Sequence, residues 1–394
     1  MLSIVVMFEG FDISVSSVVL PYLAQDFGAS EARLGGALSV IALGAIAAWL
    51  TIRLADRFGR RPVLILAAAG FSLGSLATTL SFDVTSYAAI QFITRVLLVT
   101  QIATAYILIS EIIPPRLRGR ANGALGASGS IGAALPFLLL DTAVSSEFGW
   151  RLLFVIGAAP LLAVPLLLAF LPETPAWKKA REAGVKSPSL LHEVRELVSP
   201  ALRRNFLAMS ALWFLINFAS AVAALFFTLY AVQERGWQPA DFASLAILGL
   251  IGSFLGYVTV GWLMDAIGRR PTVMILMTAV GVLTQLCYTS EGWWAVAGAF
   301  VGIQATLGVW VAAYTLNSEL FPTHLRSAAN GWCHNLVGRW GFVLAPLLLG
   351  GLAVRLGGIG VAATLLGCAA YLAVPLVWFG IEETRAKSLD TVNA

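Results

Sequence analysis

The chain has 394 residues, of which 59% are hydrophobic and only 12% charged. With a mean hydropathy of +0.85 it holds more apolar side chain than a soluble core can enclose, which makes lipid its solvent and excludes a soluble fold. The net charge of +4 and pI near 9.1 would suit a nucleic-acid binder only if the basic residues clustered on an exposed domain, and their positions show otherwise.

A helix crossing a bilayer needs about 20 mostly apolar residues. Such stretches run from Leu2 to Leu23, Leu34 to Leu54, Val63 to Leu80, Ser86 to Ile113, Ala121 to Val144 and Trp150 to Leu171. The first carries Glu9 and Asp12 and lacks a basic leader and a small-residue cleavage site, so it reads as a span and not a signal peptide. Residues 172–205 follow as a long polar connection with Pro188 and Pro200. Six more apolar stretches run from Phe206 to Val232, Phe242 to Met264, Val273 to Tyr288, Trp294 to Leu320, Ala328 to Val354 and Gly360 to Phe379. Cys287, Cys333 and Cys368 all lie within these stretches without metal-ligand spacing and read as small buried hydrophobes.

With the first residue in the cytoplasm, alternate connections place Arg53, Arg57, Arg60, Arg61, Arg116, Arg118, Arg120, Arg203, Arg204, Arg269, Arg270, Arg326, Arg385 and Lys387 inside, together with the basic residues between Lys178 and Arg195. The outside receives Arg33, Arg151, Arg235 and Arg355. That asymmetry predicts two cytoplasmic termini in an inner, cytoplasmic membrane and accounts for the pI without nucleic acid.

The halves repeat one another. Asp56-Arg57-Phe58-Gly59-Arg60-Arg61-Pro62 recurs as Asp265-Ala266-Ile267-Gly268-Arg269-Arg270-Pro271. Glu111-x-x-Pro114-x-x-Leu117-Arg118-x-x-Ala121-Asn122-Gly123 recurs as Glu319-x-x-Pro322-x-x-Leu325-Arg326-x-x-Ala329-Asn330-Gly331, and the two offsets differ by one residue. The expected organisation is therefore a bundle over 1–171, a cytoplasmic linker over 172–205 and a second bundle with a short tail over 206–394, with a solute site near mid-membrane.

These motifs resemble the major facilitator superfamily, whose signature between the second and third helices is Gly-x-x-x-Asp-Arg-x-Gly-Arg-Arg. The second copy opens with Gly261, whereas the first has Ile52 there. The resemblance implies an all-α membrane protein of twelve spans, two six-helix bundles related by pseudo-twofold symmetry, working by alternating access. Leu171-Pro172-Glu173-Thr174-Pro175-Ala176-Trp177 and Glu383-Thr384-Arg385 are similar to the sugar-porter and aromatic-acid:proton symporter groups. Trp213-Phe214-Leu215-Ile216-Asn217-Phe218-Ala219 lacks the Gln-Gln-x-x-Gly pattern of sugar porters, which disfavours sugar. Gly338-Arg339-Trp340-Gly341 followed by Leu344-Ala345-Pro346 resembles the aromatic-acid and nicotinate symporters and related organic anion transporters, in which the matching arginine is implicated in anion binding.

Ionisable groups deep in a span are costly unless paired or hydrated, and each is a functional hypothesis. Glu9, Asp12, Arg95 and Arg339 lie at mid-depth, and their formal charges cancel. At 1.5 Å per residue, Asp12 lies about 15 Å from the cytoplasmic start of its helix and Arg95 about 13 Å from the outer start of its own, so the depths match. Both positions are similar to the proton-coupling pair of sugar porters and their relatives. Arg95 is expected to hold Asp12 ionised while the two are paired, and separation to let the carboxylate take up a proton; a static structural pair is the alternative. Glu9, three residues before Asp12, competes for that proton or binds an organic cation.

Arg339 stands about 16 Å into its span, with Asn335 expected one turn earlier on the same face and His334 beside it. Facing a cavity, its guanidinium favours a carboxylate; an ion pair to Glu9 is the alternative. Trp213 and Asn217, with Gln304, Trp310, Tyr314 and Asn317, are candidates to line a pocket for a planar solute, although among twelve tryptophans most serve packing or the interfacial belt. Asp56, Arg60, Glu111 and Arg118, with Asp265, Arg269, Glu319 and Arg326, sit at cytoplasmic helix ends. The resemblance implies a latch for the outward-open state, acting on conformational equilibrium more than on affinity. His192 and the charges from Lys178 to Arg195 read as a solvated amphipathic linker.

The reading that results is proton symport of a small organic anion by a monomer, with no cofactor, no metal and no enzymatic site. The rivals are proton-coupled efflux of drugs or organic cations with Glu9 as cation site, sugar:proton symport, and a substrate-binding receptor that has lost transport.

Overall fold

The computed structural model describes residues 2–29, 31–184, 189–224, 226–227, 230–231, 234–237 and 239–385. Lys186, Pro188, Val232 and Lys387, counted above, lie outside them. In hydrocarbon every backbone N–H and C=O must find a partner within the protein, so apolar stretches of this length fold as helices. Among the described residues there is no strand.

Eleven helices are long and apolar enough to span: α2 (Gly36–Phe58), α3 (Arg60–Thr78), α4 (Val84–Ile112), α5 (Arg118–Val144), α6 (Arg151–Phe170), α7 (Arg203–Ala224), α8 (Ile247–Ile267), α9 (Arg269–Thr289), α10 (Trp293–Leu320), α11 (Arg326–Leu356) and α12 (Ile359–Gly380). The twelfth, α1, comprises Leu2–Ser16 and Leu20–Asp26 with a 52° bend between them, and Pro21 stands at the start of its second piece. Large apolar side chains such as Leu66, Leu162 and Val354 are 71%, 82% and 88% exposed, the expected outer face of a protein solvated by lipid.

One difference from the hydropathy reading is systematic. Helices α3, α5, α9 and α11 begin two to four residues before the apolar stretches at Val63, Ala121, Val273 and Ala328, because each opens on an arginine that hydropathy assigns to a loop. Those arginines, Arg60, Arg118, Arg269 and Arg326, are 0–4% exposed.

The chain divides into two compact units. The first gathers 1–112, 128–188 and 323–331, and its core is built on Phe8, Phe11, Phe71, Trp150 and Phe154. The second gathers 113–127, 189–322 and 332–394, around Phe218, Phe227, Tyr230, Tyr288 and Leu349. In the linker, short helices Pro175–Glu182 and Leu190–Leu197 are amphipathic, the second burying Glu193 and Leu197.

Candidate functional site: the membrane-embedded centres and the helix-end ion networks

In the first unit, glycines decide how closely helices approach. A Cβ on Gly10 of α1 would stand 1.9 Å from the Gly129 carbonyl oxygen of α5, and one on Gly132 would stand 1.6 Å from that of Met7. A Cβ on Gly44 of α2 would meet the Phe92 carbonyl at 2.7 Å and Cβ of Arg95 at 3.1 Å. Gly44 thus makes room for the stem of Arg95, and Gln101 Nε2 ties α4 to α1 by donating to the Val5 carbonyl at 3.0 Å.

This packing brings Arg95 Nη2 to 3.6 Å from Asp12 Oδ2, with side chains 14% and 2% exposed. The separation exceeds a charge-assisted hydrogen bond of about 2.7–2.9 Å, so the contact is an ion pair held by charge. Asp12 Oδ2 is buried without a hydrogen-bond partner among the described residues. Glu9 is half-buried, its carboxylate beside Gly129 of α5.

The centre of the second unit is aromatic. Gly338 and Gly341 let α11 lie against α7: a Cβ on the first would be 2.7 Å from Trp213 Cβ, and one on the second 2.4 Å from the Phe214 carbonyl. His334 stacks on Trp213 at 3.9 Å and 19°, meets the Trp310 and Tyr314 rings edgewise at 5.3 Å each, and shares a hydrogen bond of 3.1 Å between Nδ1 and the Tyr314 hydroxyl. The Arg339 guanidinium lies 5.7 Å from the Trp310 ring centre. Asn217 donates to the Trp213 carbonyl at 2.7 Å, and both side-chain atoms of the fully buried Asn317 are unpartnered among the described residues. Gln304 stands apart from the rings, its Cγ against Gly249 of α8.

The helix leading to Arg339 is wider than the expected α-helix. Residues Gly331–Gly338 form a π-helix, and Arg339 N–H donates to the His334 carbonyl at 2.9 Å. The wider turn makes His334, five residues back, the backbone partner of Arg339, so that His334 and Asn335 both lie about one turn below it. Wide turns of this kind interrupt α-helices mostly at functional sites.

At the ends of the spanning helices two ion networks form, one in each unit. In the first, Arg60 Nη2 contacts Asp56 Oδ1 at 3.0 Å and Glu111 Oε1 at 3.1 Å, and Arg326 pairs with the same carboxylate oxygen. Asp56 accepts from the backbone N–H groups of Ser327 and Ala328 at 3.1 and 2.8 Å, at the N-terminus of α11. In the second, Arg269 bonds Glu319 through Nε and Nη2 at 3.1 Å each, Arg118 approaches the same carboxylate at 3.4 Å, and Asp265 accepts from Gly119 and Arg120 N–H at 3.0 and 2.9 Å.

Each network has a further carboxylate that was not singled out from the sequence. Glu173 accepts from Arg60 and Arg61 N–H, and Glu383 from Arg269 and Arg270 N–H, at 3.0–3.1 Å. The preceding turns require glycine: Gly59 and Gly268 have φ of +107° and +104°, and a Cβ there would strike Glu173 or Glu383. The signal was present as a repeat, Glu173-Thr174 and Glu383-Thr384.

The Major Facilitator Superfamily model matches residues 2–259 and 214–394, which together cover nearly the whole chain. The chain belongs to the Major Facilitator Superfamily. It is 30% identical to the 3-(3-hydroxy-phenyl)propionate transporter of Escherichia coli, over 91% of this chain and 88% of that protein. It is 28% identical to the gallate transporter of Pseudomonas putida, over 99% and 92%. The niacin transporter NiaP of Acinetobacter baylyi is 26% identical over 98% and 94%. Among solved structures, the proton:xylose symporter XylE superposes with TM-score 0.79 at 18% identity, over 99% and 96% of the two chains. The human organic anion transporter MFSD10 does so with TM-score 0.79 at 15% identity, over 95% and 97%. These structures share the fold.

As a superfamily member the chain is a multi-pass membrane transporter of small molecules and not an enzyme. Its departure from the superfamily signature has a local explanation. Gly261 lies so close to Gly119 and Gly123 that a Cβ would be 2.8 Å from the Gly119 carbonyl, whereas Ile52 is fully buried in the first unit, and the close approach there falls to Gly331 against Trp49 at 3.0 Å.

Proposed function

We propose that this chain is a proton-coupled symporter of a small organic anion, an aromatic or related carboxylate, working by alternating access. The observation that carries the reading is the buried Asp12–Arg95 pair, 3.6 Å apart and without a hydrogen bond to Asp12 Oδ2 among the described residues. A carboxylate beside a guanidinium stays ionised, and the same carboxylate in apolar surroundings without it favours the proton. Movement that separates the two therefore exchanges an ion pair for a proton, and the loose geometry keeps the energy of that exchange small.

The solute class is supported from two directions. Arg339, flanked by Trp310, Tyr314 and His334, offers a planar cation beside aromatic faces, suited to a planar carboxylate. The relatives are named for gallate, niacin and 3-(3-hydroxy-phenyl)propionate, all aromatic acids. Trp213, Asn217, Asn317 and Asn335 complete the proposed lining, with Gln304 at its edge, and Glu9 is a second carboxylate able to share the proton.

The ion networks around Glu111 and Glu319 act as latches that form in one state and break in the other, setting the conformational equilibrium. The arginine distribution supports both termini in the cytoplasm and residence in the cytoplasmic membrane, and each bundle pair works as a monomer. The test is uptake by proteoliposomes of labelled 4-hydroxybenzoate under an inward-directed proton gradient. Accumulation that a protonophore abolishes is expected; uptake indifferent to the gradient would overturn the coupling.

A further inference from the structure

Around His334 one half of the protein buries more polar valence than it pairs. His334 Nε2, Trp213 Nε1 and Asn217 Oδ1 have no hydrogen-bond partner among the described residues, and the residues that bear them are all fully buried. Such groups are costly unless something meets them. Trp213 and His334 are stacked on each other, so two of the three atoms belong to one pair of rings. The His334 ring itself is fixed on every other side: Trp213 covers a face, the Trp310 and Tyr314 rings meet it edgewise, and the Tyr314 hydroxyl occupies Nδ1. Only Nε2 is left to bind, because the Tyr314 hydroxyl occupies Nδ1.

We infer that His334 Nε2 is the atom that reads a polar substituent on the solute's aromatic ring, a hydroxyl or a ring nitrogen, and that the transporter selects polar-substituted aromatic carboxylates over the plain ring. This rests on the reading that Arg339 holds the carboxylate. The π-helical turn supplies the geometry, because it places His334 beneath Arg339, and both stand against Trp310. Carboxylate and ring substituent are then met from one helix, on opposite ends of a planar molecule. In a site built this way, the analogue lacking the substituent leaves Nε2 desolvated and unpaired, the condition under which hydrogen-bonding sites discriminate most.

The test is binding of benzoate, 3-hydroxybenzoate, 4-hydroxybenzoate and nicotinate to the purified full-length protein, with the preference for each polar-substituted acid taken as a ratio to benzoate. Wild type is expected to prefer at least one of the three by roughly tenfold or more. His334→Phe, which keeps the stack on Trp213, is expected to bring that ratio to about 1. His334→Gln, whose amide nitrogen reaches the position of Nε2, is expected to restore part of it, and Tyr314→Phe to lower it about threefold by releasing the ring at Nδ1. An undiminished ratio in His334→Phe, or equal loss for all four ligands with the ratio intact, overturns the inference. Failure of wild type to bind any of the four overturns instead the anion reading on which it rests.

Discussion

The two units carry nearly the same ion network at the ends of their helices but different chemistry at their centres. Asp56, Arg60, Glu111 and Arg326 in one unit correspond to Asp265, Arg269, Glu319 and Arg118 in the other, down to the carboxylate that accepts from the first N–H groups of a spanning helix, Asp56 for α11 and Asp265 for α5. At mid-span the first unit has an aspartate and an arginine 3.6 Å apart, and the second has a cluster of rings, a buried histidine and an arginine over a tryptophan. If Asp12 couples protons and Arg339 holds the solute, as proposed, the divergence of the centres separates two tasks, energy coupling in one unit and solute recognition in the other.

The largest effect that sharpens this contrast is at Asp12. Asp12→Asn removes the protonatable group while keeping its size, so gradient-driven accumulation is expected to vanish while solute exchange across the membrane persists. Accumulation at the wild-type rate would erase the division of labour. Next come the networks, where the repeats should behave alike. Glu111→Gln and Glu319→Gln each leave two buried guanidinium groups without their shared carboxylate, a loss of about 3–5 kcal/mol each, read as similar falls in Tm. A large cost for only one of them would show that the networks are not equivalent.

Arg339→Ala is expected to weaken anion binding by about 2–3 kcal/mol, roughly 30- to 150-fold, measured by titration of the purified protein, while leaving proton coupling of residual transport in place. Unchanged affinity for an identified anion would remove Arg339 from recognition. The smallest effect is at the start of α4. Before α4, Asp83 accepts from Ser86 N–H at 2.7 Å, while α10 starts at Gly292 without a side-chain cap. That hydrogen bond holds the Asp83 carboxyl below its ordinary value. A depressed value means the stabilisation is present above the unfolded-state value and lost as pH falls through the folded one. The Tm difference between wild type and Asp83→Ala should therefore shrink on acidification below the ordinary aspartate range; a constant difference would show that the cap does not titrate.

Much of this was legible in the sequence, for reasons that differ by element. The spans follow from length and apolarity alone, and the repeat of Asp-x-x-Gly-Arg-Arg exposed the duplication. Asp12 and Arg95 could be matched because helical rise fixes depth, and depth is nearly all that two facing spans need to share. Depth does not fix rotation, which is why Glu9, on the same helix, could be offered Arg339 only as an alternative partner, and the structure sets its carboxylate beside Gly129. The π-helix was invisible because a 3.6-residue period was assumed through Gly331–Gly338, and that period gives no sign that the Arg339 N–H would bond to His334. The roles of Gly44, Gly338 and Gly341 depend on contacts between distant segments, which no local pattern encodes. Glu173 and Glu383 were visible as a repeat, yet their partners are backbone N–H groups, which a search for charged side chains overlooks.

The assignment of the proton to Asp12 is tested most directly by following pH inside proteoliposomes that contain a trapped indicator when an aromatic carboxylate is added outside. Wild type should acidify the lumen beyond protein-free vesicles, and Asp12→Asn should carry the solute in exchange with no such acidification. Lumenal acidification by Asp12→Asn equal to wild type would contradict it.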